Sequence, residues 1–192
     1  MNYYIADLHI GHANVIRFDN RPFADVEEMH RELVRRWNER VTPEDTVYIL
    51  GDYIWKKENL WPEIVRQFRG NKVLIKGNHD PRGFSRETRE LFQDIRDYKE
   101  IMDGGRRVIL CHYPIPFYKK DYSRDTYMLC GHVHTTQENE YLVAIRKSVR
   151  TDPLCVSLGQ IYNVGCMMPY MDYTPRTLDE IVSAFAVENN DR

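Results

Sequence analysis

Residues suited to catalysis stand where apolar runs of the sequence end. The run at 72–76 leads directly into Gly77-Asn78-His79-Asp80. Small and polar residues at the end of a strand fill a core poorly, but they can present their side chains to a binding site. Asn offers a neutral carbonyl oxygen, His offers a ring nitrogen or a proton, and Asp can hold that His in one tautomer. By itself, this tetrapeptide also fits an ordinary turn.

The same arrangement recurs along the chain, because four other apolar runs also end on His or Asp. The five sets are Asp7 with His9, Asp52, Asn78 with His79, His112, and His132 with His134. Each set alone fits a turn or a solvated loop. In layered α/β folds, however, ligands bind beyond the carboxyl ends of the strands, where loops converge. We therefore interpret the five sets together as a metal site.

The inventory of ligands exceeds what a single metal ion needs. Two Asp, one Asn and up to five His residues outnumber the four ligands of a closed structural zinc site. Oxygen and imidazole ligands without thiolate suit manganese, iron or zinc and do not select among them. Two such ions can clamp the attacking and leaving oxygens of an in-line displacement, and their net positive charge favours a phosphate. The sequence thus predicts two divalent or trivalent ions and a phosphoester substrate.

Composition indicates a water-soluble globular protein with one domain over residues 1–192. Of its 192 residues, 42% are hydrophobic and 29% charged, and the formal net charge is −2. This charge provides no global attraction to membranes or to nucleic acid, so a nucleic-acid partner is possible only through a local patch. Four cysteines without C-x-x-C spacing, and an N-terminus without a signal-peptide pattern, predict reduced thiols and a cytoplasmic location. The oligomeric state is not predicted.

Helical and strand patterns alternate early in the chain, and strands dominate later. Helices are predicted at 25–40, 59–69 and 85–93, with a last one from Thr177 onwards. Capping boxes, Asp25 with Glu28 and Thr177 with Glu180, mark the first and last of these helices. Strands are predicted at 3–6, 46–50, 72–76, 98–102, 107–111, 126–130, 142–145, 156–158 and 161–164. This order favours a layered α/β fold with helices outside mixed sheets.

The motifs resemble, in order, the signature of the calcineurin-like metallophosphoesterases. The matching blocks are Asp7-x-His9, Gly51-Asp52, Gly77-Asn78-His79-Asp80, His112 and Gly131-His132-x-His134. Five separate blocks in the right order, spanning most of the chain, make this resemblance specific. It implies a four-layer αββα sandwich, with two mixed β-sheets between helices and a dinuclear metal site at one edge.

The resemblance also implies a role for each motif residue. The implied ligands are Asp7, His9 and His134 for one ion, Asn78, His112 and His132 for the other, and Asp52 as the bridge. His79 would contact the phosphate and protonate the leaving oxygen, with Asp80 orienting His79. The nucleophile would be a metal-bridging hydroxide, so no Ser or Cys nucleophile is needed. His12 and Asn78 are candidate substrate contacts, although His12 equally fits a residue that caps its loop.

The substrate is less well specified than the metal site. Five aromatic residues follow the motifs and either line the pocket, where they could stack on a nucleobase, or cover the core: Tyr53, Trp55, Tyr113, Phe117 and Tyr118. Six basic residues either meet further phosphates or form a solvated surface: Arg17, Arg21, Lys56, Arg82, Arg146 and Arg150. The stretch 135–153 could reach over the site.

Three functions agree with these features. The favoured function is that of a compact hydrolase. Its substrates would be phosphomonoesters or phosphodiesters that resemble nucleotides. A DNA or RNA nuclease would require a contiguous basic groove, which the net charge does not promise. A non-catalytic scaffold of the same fold would have no need for His79, so the presence of that residue argues against it.

Overall fold

Two four-stranded sheets form the centre of the protein. The computed structural model describes residues 1–149 and 157–187. The first sheet contains, in spatial order, β1 (Asn2–Ile5), β2 (Thr46–Leu50), β3 (Asn71–Ile75) and β4 (Asp94–Arg96). The second contains β5 (Tyr98–Asp103), β6 (Arg106–Cys111), β7 (Thr126–Cys130) and β8 (Ile161–Asn163). Together with the helices, these sheets confirm the layered α/β fold expected from the sequence.

The two sheets differ in the direction of their strands. In the second sheet, β5 and β6 are antiparallel, whereas β6, β7 and β8 run parallel, so this sheet is mixed as expected. In the first sheet, all pairs between named strands are parallel. Its antiparallel contact is an isolated bridge between Tyr4 and Arg176. Parallel strands end at a common edge, which suits a site built from the loops that follow them.

One hydrophobic core joins the sheets. It includes Ile5, Ile49 and Leu74 of the first sheet together with Leu110 and Leu129 of the second. Alternate residues of the second sheet, including Ile109, Met128 and Cys130, bury their side chains in a separate cluster. The second sheet is therefore covered on both faces, as an internal layer must be.

Six α-helices accompany the sheets in the described part of the chain. They are α1 (Ala13–Phe18), α2 (Val26–Arg40), α3 (Trp61–Val65), α4 (Arg86–Glu90), α5 (Gln137–Val149) and α6 (Leu178–Val187). The predictions of α2 and α6 are confirmed, whereas α3 and α4 are each only five residues long and shorter than expected. A 3₁₀ turn at Glu58–Leu60 precedes α3. Asp25 caps α2 by accepting from the Glu28 N–H at 2.7 Å. Thr177 and Glu180 form the capping box of α6.

Two predicted strands are wrong and two short elements were missed. Residues 142–145 lie inside α5, because a short apolar run fits a helix as well as a strand. Acidic residues in its first turn and basic ones in its last also suit the helix dipole. Of the strand expected at 156–158, residue 156 lies outside the described residues, and Ser157–Gln160 form a 3₁₀ turn. The missed elements, α1 and β4, are six and three residues long.

The described cysteines are free thiols, and the described helices are not of a membrane-spanning kind. Cys130 and Cys166 are buried and Cys111 is half-buried, whereas Cys155 lies outside the described residues. Among residues 1–149 and 157–187, no helix combines the length and the apolar character needed to cross a bilayer.

Candidate metal centre

The loops that follow β1, β2, β3, β6 and β7 meet around a single cavity. Its volume is about 480 Å³. The predicted site residues on its wall are His9, His12, Asp52, Asn78, His79, His132 and His134. Asp7 and His112 are fully buried beside this wall. The structure therefore brings residues from all five motif sets into one place.

Asp52 lies between two imidazoles. Its Oδ2 is 3.6 Å from His9 Nε2 and 3.6 Å from His112 Nε2. Its other oxygen, Oδ1, accepts a hydrogen bond of 2.9 Å from the backbone N–H of His79, which fixes the orientation of the carboxylate. One carboxylate oxygen thus faces ligand-type nitrogens on both sides.

A first group of ligand atoms consists of Asp7, His9 and His134. The Nε2 atoms of His9 and His134 are 3.3 Å apart, and His134 Nε2 is 3.9 Å from Asp7 Oδ1. The ligand atoms of these three residues all lie within 4.8 Å of one another, and so do those of Asp7, Asp52 and His112. Either group is compact enough to hold a metal ion.

A second group surrounds the side-chain oxygen of Asn78. This Oδ1 is 3.0 Å from His112 Nε2 and 3.0 Å from His132 Nδ1. His112 donates its Nδ1–H to the Leu50 carbonyl at 2.8 Å, so its Nε2 carries a lone pair towards Asn78. An amide oxygen and an imidazole lone pair that point at each other are the arrangement of ligands around a shared cation.

Burial of ionisable groups also fits a cation here. Burial raises the pKa of Asp7 to about 7 and lowers the pKa of His9 to about 2. A buried carboxylate without an adjacent positive charge favours its neutral form. A divalent ion would instead keep Asp7 ionised and use neutral His9 as a ligand. The donor set of carboxylate, amide and imidazole therefore matches the chemistry of a first-row metal ion.

The backbone adopts the left-handed region at several candidate ligands. Positive φ angles occur at Asp7 (56°), His9 (50°), Asp52 (51°), His132 (71°) and His134 (43°). This conformation costs a non-glycine residue about 1–2 kcal/mol and tends to cluster at functional sites. Asp7 and His9 therefore reach the same site through a loop beyond β1, and not through the alternation of side chains along a strand.

Two glycines let these loops approach each other. A Cβ on Gly51 would lie 2.3 Å from His112 Nδ1, and one on Gly77 would lie 2.2 Å from Asp52 Oδ1. Both distances are shorter than any tolerable contact. Glycine at these two positions of the motif therefore allows the ligands behind them to converge.

In the described residues, the Asp80 carboxylate makes its hydrogen bonds to backbone and not to the ring of His79. The Nε2 of His79 faces Asp52 Oδ2 at 4.0 Å, and His79 lines the cavity. Asp80 instead accepts hydrogen bonds from the backbone N–H groups of Gly77, Asp52 and Tyr53, at 2.8–3.0 Å. Its carboxylate is engaged with backbone because the two loops cross there. These bonds make Asp80 a clamp between the two loops, and the orientation of the His79 ring by Asp80 stays a prediction.

His12 does not cap the helix that it precedes. It occupies the N-cap position of α1, but its side chain makes no capping hydrogen bond. Its ring instead stacks on Trp55, with centroids 4.0 Å apart and an angle of 11°. Both residues line the cavity.

The other aromatic candidates are placed differently. Tyr53 and Tyr118 are buried in the hydrophobic core. Tyr113 and Phe117 are exposed and do not line the cavity, although the Tyr113 ring lies 4.6 Å from that of His132. Of the five aromatic residues considered from the sequence, Trp55 belongs to the wall of the cavity.

Sequence reasoning missed Asp19 and misplaced Arg21. Asp19 accepts a hydrogen bond of 2.8 Å from His134 Nδ1, which leaves the Nε2 of that histidine free. Burial lowers the pKa of His134, but this bond and the charges of Asp7 and Asp19 outweigh it and raise the pKa. Arg21 was a candidate phosphate contact. It is buried instead and donates to Asp19 Oδ2 and to the backbone carbonyls of Asp7 and Leu8.

No lysine or arginine of the described residues lines the cavity. Arg146 is buried, donates to the Ile161 carbonyl and lies over the ring of Tyr162. Arg150 lies outside the described residues. Thr135 and Thr136, at the start of the stretch 135–153, do line the cavity.

Comparisons with known proteins agree with this geometry. The model of the calcineurin-like phosphoesterase superfamily domain matches residues 3–173, so the chain belongs to that superfamily. It is 35% identical over 141 residues to an uncharacterised protein of Methanocaldococcus jannaschii, with 72% of each chain covered. It is 29% identical over 184 residues to the Gene 66 protein of Mycobacterium phage D29, covering 82% of this chain and 86% of the relative.

A solved structure also resembles this protein over nearly the full length of both chains. A protein of unknown function from Aquifex aeolicus superposes with a TM-score of 0.66 and is 26% identical, covering 96% of this chain and 98% of its own. Membership of the superfamily, together with the clustered Asp and His residues, supports a metal-dependent phosphoesterase.

Proposed function

We propose that this protein hydrolyses phosphomonoesters or phosphodiesters with two bound metal ions. Three residues would hold each ion: Asp7, His9 and His134 on one side, and Asn78, His112 and His132 on the other. Asp52 would be shared. The observation that carries this proposal is the position of Asp52 Oδ2, at 3.6 Å from one imidazole of each group.

The side chains around the ions divide the remaining tasks. When bound, the ions supply Lewis acidity and activate a water molecule as the nucleophile. Asn78 contributes a neutral oxygen and so adds no negative charge near an anionic substrate. His79 is accessible from the cavity, and its Nε2 is the atom that donates a proton to the leaving oxygen. Asp80 keeps the loops of Asp52 and His79 together.

The Asp52→Asn variant tests the shared ligand. Replacing the carboxylate removes a negative charge that two cations would share, so we expect metal content to fall and kcat/KM to drop by at least about 100-fold. Elemental analysis and kinetics after reconstitution with Mn²⁺, Zn²⁺ or Fe²⁺ measure both effects. Asp97→Asn, an exposed aspartate paired with Lys76 outside the cavity, is the matched control. Unchanged metal content with near-normal turnover in Asp52→Asn would contradict a shared ligand.

A substrate panel tests the reaction itself. The metal-reconstituted protein is assayed with p-nitrophenyl phosphate, bis-p-nitrophenyl phosphate, cyclic nucleotides and oligonucleotides. We expect metal-dependent release of p-nitrophenol from at least one of the first two. Cleavage confined to oligonucleotides would favour the nuclease alternative. No hydrolysis of any substrate with any metal would contradict an enzymatic function and favour a scaffold.

A further inference from the structure

Part of the wall of the metal cavity is apolar and aromatic. Val15, Phe18 and Trp55 line it together with His12. Phe18 is 73% exposed and Trp55 is 40% exposed, although both are large hydrophobic residues. Exposed aromatic surface inside a concave site is typical of a surface that binds a ligand. We call these four residues the aromatic wall.

Contacts with neighbouring elements fix the position of the aromatic wall. Val15 and Phe18 stand three positions apart on α1, so they share one face of that helix. The stack of His12 on Trp55 joins α1 to the loop after β2. Directly after α1, the buried Arg21 donates to the backbone carbonyl of Asp7, and Asp19 accepts from Arg21 and from His134. The aromatic wall is thus held in place by the same contacts that hold the candidate ligands.

The aromatic wall begins beside the group proposed to protonate the leaving oxygen. The ring centroids of Trp55 and His79 are 4.6 Å apart, and those of Trp55 and His9 are 6.0 Å apart. A leaving group that receives a proton from His79 would therefore extend along the aromatic wall. The wall is in the right place to distinguish one alcohol from another.

Volume and charge limit what that alcohol can be. A cavity of about 480 Å³ lies in the range that holds a drug-sized ligand, so it has room for more than a phosphate. Among the described residues that line it there is no lysine or arginine, so this part of the chain offers no permanently cationic side chain for additional phosphates. A polyphosphate chain or a polynucleotide backbone is a poor match, and a flat uncharged group is a good one.

We propose that the aromatic wall binds the aromatic ring of the substrate's alcohol, so that the substrates are esters of a single phosphate with a nucleoside or an aryl alcohol. This inference rests on the proposed function, because it assigns the phosphate to the metal side of the same cavity. Stacking of a base or an aryl ring on Trp55 and Phe18 supplies the affinity.

Binding of phosphonates, which are not hydrolysed, tests this subsite independently of turnover. Calorimetry on the Mn²⁺-reconstituted protein compares ethylphosphonate, benzylphosphonate and a nucleoside 5′-methylenephosphonate. We expect the wild type to bind at least one aromatic phosphonate about tenfold more tightly than ethylphosphonate. Phe18→Ala and Trp55→Leu should each lose most of that preference, taken as the ratio of the two dissociation constants measured in the same variant. Phe117→Ala is the matched control, because Phe117 is also 73% exposed but lies outside the cavity lining.

The outcomes separate this inference from the proposed function. A preference for the nucleoside compound assigns the subsite to a nucleobase, and a preference for the benzyl compound assigns it to a simple aryl group. An aromatic preference that disappears in Phe18→Ala supports the subsite even if no ester is hydrolysed. Equal affinity of the wild type for all three compounds, or a preference that Phe18→Ala leaves unchanged, would overturn it even if hydrolysis is efficient. Because Phe18 is largely exposed, its variant should fold, which melting curves verify.

Discussion

At the scale of single residues, the site depends on histidines whose two ring nitrogens have different tasks. His112 and His134 each donate Nδ1–H to a fixed oxygen, the Leu50 carbonyl and the Asp19 carboxylate. Such bonds select one tautomer and turn Nε2 into a ligand atom. For His79 no comparable bond holds the ring in the described part of the chain, and this histidine faces the cavity. This difference agrees with the proposed roles, in which His112 and His134 hold an ion and His79 moves a proton.

His79→Asn should separate proton transfer from metal binding. Loss of a general acid typically costs about 10²- to 10⁴-fold in rate, and the loss is largest for a poor leaving group. We expect this loss for an alkyl phosphate and a much smaller one for the p-nitrophenyl ester, because p-nitrophenolate leaves without a proton. Metal content should not change. Equal losses on the two esters, or loss of metal, would show that His79 is not the acid.

At the scale of elements, the site is an assembly of loops that touch through backbone. The loop after β2 and the loop after β3 are joined by the Asp80 carboxylate and by the bond from His79 N–H to Asp52. Asp80 is buried, and this burial raises the pKa of its carboxylate to about 6. The three backbone donors offset part of that cost.

Asp80→Asn tests the clamp between these loops. The asparagine NH₂ would face backbone N–H groups, so at least one donor loses its partner, and we expect unfolding to require about 1–3 kcal/mol less free energy. Urea titration measures this. Kinetically, the alkyl and p-nitrophenyl esters should be slowed by the same factor, since the loops carry ligands as well as His79. A loss seen mainly with the alkyl ester would instead mean that Asp80 acts through the ring of His79.

Gly77→Ala tests how closely the two loops must approach. The added Cβ would meet Asp52 Oδ1 at 2.2 Å and the Asp52 backbone nitrogen at 2.6 Å, so the carboxylate must shift. A displacement of about 1 Å can cost about 100-fold in rate, and we expect a loss of kcat/KM of that order together with weaker metal binding. Gly83→Ala is the matched control, because a Cβ there meets nothing within 4 Å. Normal kinetics in Gly77→Ala would contradict the close approach.

At the scale of the whole molecule, the candidate metal centre lies where the two sheets meet. Asp7, Asp52 and Asn78 follow strands of the first sheet, whereas His112 and His132 follow strands of the second. The sheets also touch at this edge through backbone, since Ala6 accepts from Cys166 N–H and donates to the Val164 carbonyl, each at 2.8 Å. Ions bound here would therefore connect both halves of the core.

Metal binding should consequently stabilise the entire fold. A ligand at about 100 times its dissociation constant adds about 2.7 kcal/mol, which for a chain of this size corresponds to about 5–10 °C in Tm. We expect Mn²⁺ to raise the Tm by this amount and excess chelator to reverse the change, as scanning calorimetry would record. The shift should be much smaller in Asp52→Asn. An equal shift in the variant would show that the stabilising ions bind elsewhere.

Most strands of the two sheets, and the positions of the candidate site residues at their ends, could be predicted from the sequence. Strands β2 and β7 begin and end where their apolar runs do, and Asp52 and His132 follow them within two residues. Such elements are local: a run of about five β-forming residues between turn signals is sufficient to indicate a strand. Helix α1 was missed because its six residues are too few to show helical periodicity. Part of α5 was predicted as a strand because a four-residue apolar run fits the helical period and the strand period equally well.

The side chains that support the candidate ligands could be identified only from the folded structure. Arg21 binds carbonyls 13 and 14 positions earlier in the chain, and Asp80 binds amides 27 and 28 positions earlier. No sequence period links such positions, since the partner of a buried polar group is set by which loops the packed core brings together. The joining of Trp55 to His12 into one wall follows from the same packing. Residue types and strand ends thus depend on the local sequence. The contacts that orient the site residues form only when the two sheets pack against each other.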